Sequence, residues 1–247
     1  RGGGDIAALV PEKRTRGYDM RRVVAAIADR GSVLELKPQF GRTVVTALAR
    51  IDGHTVGVIA NNPMFKAGAL DADACSKATR FIATCDSFQV PIVNLVDTPG
   101  FVIGSDAEKR RAPTKIMTYM TALQLATVPK FTVIVRKAYG QAYLNMGGGK
   151  NSDEVAAWPS AEVSFMEPRF GARVVSPPDA DDETLAAAEE ALARGSQVWE
   201  IAGMFAVQHV VKPAETRAFL SDMLRIYGAS TPAAMGKRHL AAWPFNF

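Results

Sequence analysis

The 247-residue sequence is short of the groups from which disulfide scaffolds, metal centres and membrane spans are built. It has two cysteines, Cys75 and Cys85, both within one helical pattern. Neither a disulfide framework nor a C-x-x-C redox or metal site can be drawn from them, and a reducing compartment fits. The three histidines, His54, His209 and His239, lie far apart, without the spacing of a helical metal pair, so no metal is expected. Every apolar run meets Pro, Asn, Asp or Lys well before the roughly 18 residues of a membrane span, and no signal-peptide pattern opens the chain. The 29 basic and 25 acidic residues nearly balance, with basic residues in short groups at 13–16, 109–111 and 237–238. That distribution is poor for a nucleic-acid surface; a solvated basic face or a phosphate-bearing ligand suits it better. The expectation is a soluble, cytoplasmic protein.

What is present is apolar residues, 48% of the chain, enough for the core of one large α/β domain. Residues 1–18 mix Gly, Pro and charge without periodicity and read as a linker. Residues 1–5 form no cap, which reads as a cut inside a longer polypeptide or a processed start. Asp19 can then cap a helix carrying Met20, Val23, Val24 and Ile27 at helical spacing, with Gly31 as its left-handed end. Strands at 43–51 and 55–61 flank Asp52-Gly53, a dipeptide that accepts the positive φ angles of a tight hairpin.

Helices near 73–85 and 114–126 then alternate with strands at 92–97 and 131–136, which predicts a parallel sheet. Ligands of such sheets collect at the carboxyl ends of strands, so the loops at 61–63, 97–100 and 138–140 are the candidate site. A strand at 162–166 and helices near 182–194 and 214–227 complete the pattern. Val198, Trp199, Ile201, Met204, Phe205 and Val207 are more apolar residues than one covered helix needs, which predicts an oligomer contact or an internal cap on the sheet.

Asp97-Thr98-Pro99-Gly100 matches the D-x-x-G of GTPases. The phosphate loop that should precede it is missing: its nearest approach, Gly149-Lys150-Asn151, lies downstream, with Asn151 in place of the Mg²⁺-binding hydroxyl and Leu144 in place of the first Gly. No G-x-S-x-G elbow is present. Asp97 and Glu108 are each open to an acid/base role, to helix capping, or to pairing with Lys109 or Arg110. The segment 136–149 is more informative. It follows a strand, is rich in small residues and opens a helix, so its first N–H groups lack intrahelical partners and can hold an oxyanion. Close helix packing is the other reading of such a turn.

Read together, these segments resemble the C-terminal domain of the β-subunit carboxyltransferases of biotin-dependent acyl-CoA carboxylases, propionyl-CoA carboxylase most closely. The resemblance is carried by Tyr18-Asp19-Met20-Arg21, by Val56-Gly57-Val58-Ile59-Ala60-Asn61-Asn62-Pro63, and by Val96-Asp97-Thr98-Pro99-Gly100-Phe101. It continues in Arg136-Lys137-Ala138-Tyr139-Gly140, in Ala157-Trp158-Pro159 and in Lys237-Arg238-His239.

The resemblance implies a crotonase-like spiral of ββα units with a helical C-terminal region over residues 19–247, preceded by the 1–18 linker from an N-terminal half. It implies a metal-free transfer of CO₂ between carboxybiotin and the α-carbon of a coenzyme A thioester through an enolate. Backbone N–H groups at Gly140, Gln141 and Ala142 would hold the oxyanion, and Gly100, Phe101, Tyr143 and Leu144 would face substrate. Its partners would be a crotonase-like N-terminal half or subunit, a biotin carboxylase and a biotin carrier protein. The chain departs from the family at Gln141, where a small residue is usual, at 108–113 and at 150–153. These departures leave room for a biotin-independent decarboxylase, C–C hydrolase or isomerase working with an N-half, or for a silent assembly subunit.

Overall fold

The computed structural model describes residues 6–228. In chain order these form α1 (Met20–Ile27), β1 (Leu34–Leu36), β2 (Val44–Ile51), β3 (His54–Asn61), α2 (Ala72–Ser87), β4 (Ile92–Thr98), α3 (Ser105–Lys109) and α4 (Ala112–Leu125). There follow β5 (Lys130–Tyr139), α5 (Gly140–Asn145), β6 (Glu154–Ala157), β7 (Glu162–Ser164), α6 (Pro168–Val175), α7 (Asp182–Gly195), α8 (Val198–Gly203), β8 (His209–Val210) and α9 (Thr216–Gly228).

The strands build one sheet in the order β1-β2-β3-β4-β5-β6-β8, with β7 paired to the far end of β5. Its first three strands are antiparallel. From β3 onward every pairing is parallel, as the helix–strand alternation required. The hairpin turn is Asp52 (φ 52°) and Gly53 (φ 81°). Both turn amides donate to Asp29 Oδ1 and Oδ2, at 3.1 and 2.9 Å.

Alternation along the strands divides the core between two faces. Ile92 and Val96 of β4 and Ile134 and Ala138 of β5 meet α2, α4 and α5. Val93, Leu95, Phe131, Val133 and Val135 meet α1 and α9. Each of these buried Val, Leu, Ile and Phe side chains contributes about 1.5–3 kcal/mol. Capping follows the sequence: the side chains of Asp19, Asp71 and Asp181 accept from Arg21, Ala74 and Thr184 at the starts of α1, α2 and α7.

Two expectations are corrected. α1 ends at Ile27 with an extended Ala28, and Gly31 (φ 71°) belongs to the following turn, because Asp29 is drawn off the helix axis to the hairpin amides. Residues 6–18 are also no loose tether. Ile6 and Tyr18 are buried, and Arg136 donates to the carbonyls of Pro11, Lys13 and Arg16 at 3.0–3.2 Å. The basic stretch at 237–239 lies outside the described residues.

Candidate active site at the carboxyl ends of β4 and β5

β4 and β5 run side by side, with Thr98 opposite Ala138, and end together. At the end of β5 the backbone turns through Tyr139 (φ −109°, ψ 136°) and Gly140 (φ 61°) into the six-residue α5. Glycine is needed at 140 twice over: φ is left-handed, and a Cβ there would stand 3.0 Å from the carbonyl oxygen of Phe165.

The N–H groups of Gln141 and Ala142 fall in the first turn of α5, where no earlier helical carbonyl exists to receive them. Gln141 and Leu144 are exposed, whereas Ala142, Tyr143 and Asn145 are buried. The helix is fixed from behind by Asn145, which donates to the Ile116 carbonyl of α4 at 2.9 Å. Below it Gly147 (φ 86°) lies so close to Thr132 that a Cβ would meet Oγ1 at 2.3 Å.

The structure places the expected site residues as follows. Gly140, Gln141 and Ala142 form the turn itself. Gly100 (φ 138°) leaves the neighbouring strand, with its carbonyl accepting from Leu70 at 3.0 Å. Phe101 is half-buried, bridged to Leu70 and packed on the α2–α4 core, so it supports the loop. Tyr143 points inward against Gly148, and burial raises the pKa of its hydroxyl. Leu144 is 39% exposed on the outward side. Gln141 Nε2 reaches Met117 Sδ of α4 at 3.7 Å. Ile103, Met117, Leu144 and Phe165 are exposed apolar side chains on α4 and on the segments that follow β4, β5 and β7, and they form an apolar rim in which Gln141 is the polar member.

Asp97 has a structural role, with partners other than those expected. Its carboxylate is fully buried and accepts from Tyr18 (2.8 Å), Arg136 Nε (2.9 Å) and the Lys137 backbone (3.3 Å), with Lys137 Nζ also at 3.3 Å. Burial, reinforced by Asp97, raises the Tyr18 pKa well above its ordinary value, and burial lowers that of Lys137. Lys109 and Arg110 instead face Asp106 and Asp73, and Glu108 is exposed on α3.

Among the described residues no group of three or more His, Cys, Asp or Glu is placed to hold a metal ion, and no helix is long and apolar enough to cross a membrane. His54 is exposed beside the hairpin turn, His209 pairs with Glu154 at 3.0 Å, and His239 lies outside the described residues. Cys75 and Cys85 are buried free thiols, pushed up to about 12 by burial. The apolar residues of the 198–207 segment divide: Val198, Ile201 and Val207 are buried, whereas Trp199, Met204 and Phe205 are exposed.

Sequence reading missed the charged knot of Tyr18, Asp97, Arg136 and Lys137, and the contact of Arg14 with Glu162. Its one visible signal is Arg136-Lys137 inside a strand that is otherwise apolar, since adjacent buried cations require an anion nearby.

The carboxyl transferase domain family matches residues 2–239. The chain is 37% identical over 246 residues to the methylmalonyl-CoA carboxyltransferase 12S subunit of Propionibacterium freudenreichii subsp. shermanii, covering 95% of this chain and 46% of that protein. It is 36% identical over 235 residues to the methylmalonyl-CoA decarboxylase subunit alpha of Veillonella parvula, again covering 95% and 46%. It thus spans about half the length of the curated relatives it matches. Among solved structures, transcarboxylase 12S, described as a hexamer assembly with methylmalonyl-coenzyme A and methylmalonic acid bound, superposes with a TM-score of 0.88 at 37% identity, covering 93% of this chain and 46% of that one.

Proposed function

Because the chain belongs to the carboxyl transferase domain family, we propose that residues 19–247 are the C-terminal half of an acyl-CoA carboxyltransferase, moving a carboxyl group between carboxybiotin and the α-carbon of a coenzyme A thioester. The fold is the crotonase-like one of its structural neighbours. The observation that carries the reading is the turn at 140–142, which presents unpartnered backbone amides at the carboxyl end of a central parallel strand.

Carboxybiotin, when bound, supplies the carboxyl group. The amides of Gln141 and Ala142 hold the negative charge that develops on an oxygen as the group is transferred through an enolate of the thioester. Such preorganised donors act without reorganising during reaction. The residues fit this use: Gly140 leaves the turn open, and the rim of Ile103, Met117, Leu144 and Phe165 suits nonpolar ring and acyl surfaces. Gln141 stands at the mouth, its amide against Met117, so its side chain governs access while its backbone governs charge.

A crotonase-like N-terminal half or subunit completes the coenzyme A site, and a biotin carboxylase and biotin carrier protein supply the carboxyl donor. Trp199, Met204 and Phe205, exposed on and just after α8, are the assembly contact. A biotin-independent hydrolase or isomerase is not favoured, because the similar proteins are named for carboxyl transfer or decarboxylation.

The test is a pair of variants assayed with an N-terminal half present. Ala142→Pro removes one amide and should lower kcat about 100- to 1,000-fold, roughly 2.7–4 kcal/mol of transition-state stabilisation. Gln141→Gly should keep turnover and use free biotin at least as well as the parent. A folded Ala142→Pro with parental kcat would overturn the oxyanion assignment.

A further inference from the structure

We infer that Glu162 is a positioning residue for the turn at 140–142, acting through Tyr139; the inference rests on the reading of that turn as the carboxyl-transfer site. Tyr139 is the last residue of β5 and immediately precedes Gly140, so its backbone angles set the direction in which the next amides point. Its residue surface is 1% exposed, and its hydroxyl donates to Glu162 Oε2 at 2.6 Å. The same oxygen accepts from Arg14 Nη1 at 3.0 Å.

Glu162 lies on β7, where Lys137 is opposite Glu162 and Tyr139 opposite Ser164. In a parallel pair these residues share one face, and the carboxylate reaches along the strand to the tyrosine. Just beyond β7, the carbonyl of Phe165 borders Gly140. The β7 segment therefore touches the turn twice: through a hydrogen bond to the residue before it, and through backbone against its glycine. A rotation of the turn disturbs both contacts.

Arg14 shares that carboxylate oxygen with Tyr139, and its own segment is held by Arg136 and by Lys137 Nζ, which donates to the Arg14 carbonyl at 3.4 Å. Glu162 thus joins the N-terminal segment, β7 and the end of β5 at one oxygen. Burial, strengthened by Glu162, raises the Tyr139 pKa, so the hydroxyl stays a donor across the working pH range.

Tyr139→Phe, Glu162→Ala and Glu162→Gln separate positioning from mere support. In the enzyme assembled with its N-terminal half, Tyr139→Phe and Glu162→Ala should each lower kcat about 10- to 100-fold, leaving the acyl-CoA KM within about twofold, the size of loss expected from a small misplacement of reacting groups. Glu162→Gln keeps an oxygen that accepts from the tyrosine and should recover most of that loss.

On the 247-residue chain alone, ¹H–¹⁵N spectra should show the amides of Gly140, Gln141 and Ala142 shifted in Tyr139→Phe and in Glu162→Ala, and returned toward parental positions in Glu162→Gln. Unmoved amides, or a folded Tyr139→Phe with parental kcat, would sink the inference. If the parent assembly transfers no carboxyl group, the functional reading fails by itself, and the amide shifts still decide whether Glu162 positions the turn.

Discussion

Two regions at the end of β5 have opposite polarity from what their surroundings suggest. Inside, where the sheet is packed on both faces, Asp97, Arg136, Lys137 and Tyr18 bury a charged knot. Outside, where water has access, Ile103, Met117, Leu144 and Phe165 leave apolar side chains exposed. The knot is satisfied within this chain: the Asp97 oxygens and the Arg136 guanidinium all have partners among the described residues. The rim is not covered by any described element. Interior polarity here is spent on geometry, holding the backbone from which the turn springs, while the outer surface is left for something that the chain must meet.

The largest effect should come from breaking the knot. Asp97→Ala leaves Arg136 and Lys137 as buried cations without their anion, and the loss should be about 3–5 kcal/mol, read by urea denaturation. A change below about 1 kcal/mol would mean that the knot is wet and the contrast with the rim unreal.

A second buried charge sharpens the comparison. Lys77 is buried with its Nζ donating to the Val44 carbonyl at 2.7 Å, and burial lowers its pKa from 10.5 to about 8. No carboxylate among the described residues lies within ion-pair distance of it. Between about pH 8 and 10.5 the unfolded chain holds a proton that the folded chain has released, so stability rises with pH across that window and the cost of burying the charge is fully present below it. Lys77→Met should flatten the rise relative to the parent; identical pH profiles of denaturation midpoint would show that Lys77 remains charged when folded.

The smallest effect belongs to the rim. Ile103→Ser and Phe165→Ser should each change folding stability by no more than about 0.5 kcal/mol, since these side chains pack on little in this chain. A loss above roughly 2 kcal/mol in the isolated chain would show that they are core.

The hairpin and the parallel order were legible because they rest on local signals: Asp52-Gly53 and apolar runs of strand length. The short β1, β6 and β8 were not, since a strand of two to four residues is specified by its neighbours in the sheet rather than by its own pattern. α6 was hidden because Phe170, Val174 and Val175 face outward while Gly171 and Ala172 face the protein. Gly140, Gln141 and Ala142 could be put forward for the candidate site because the chemistry proposed for them is backbone chemistry in one continuous segment. Glu162 and Arg14, 148 positions apart in sequence, could not.

The ties of Arg136 to Pro11, Lys13 and Arg16 also bear on how the chain matures during translation. The bonded groups are 120–125 residues apart, so the upstream segment cannot dock until β5 has followed it. At synthesis rates of about 5–20 residues per second, that delay is on the order of 10 seconds. Throughout it the carbonyls of Pro11, Lys13 and Arg16 lack the guanidinium that ties them to the sheet, and this stretch stays open to a nascent-chain chaperone or protease.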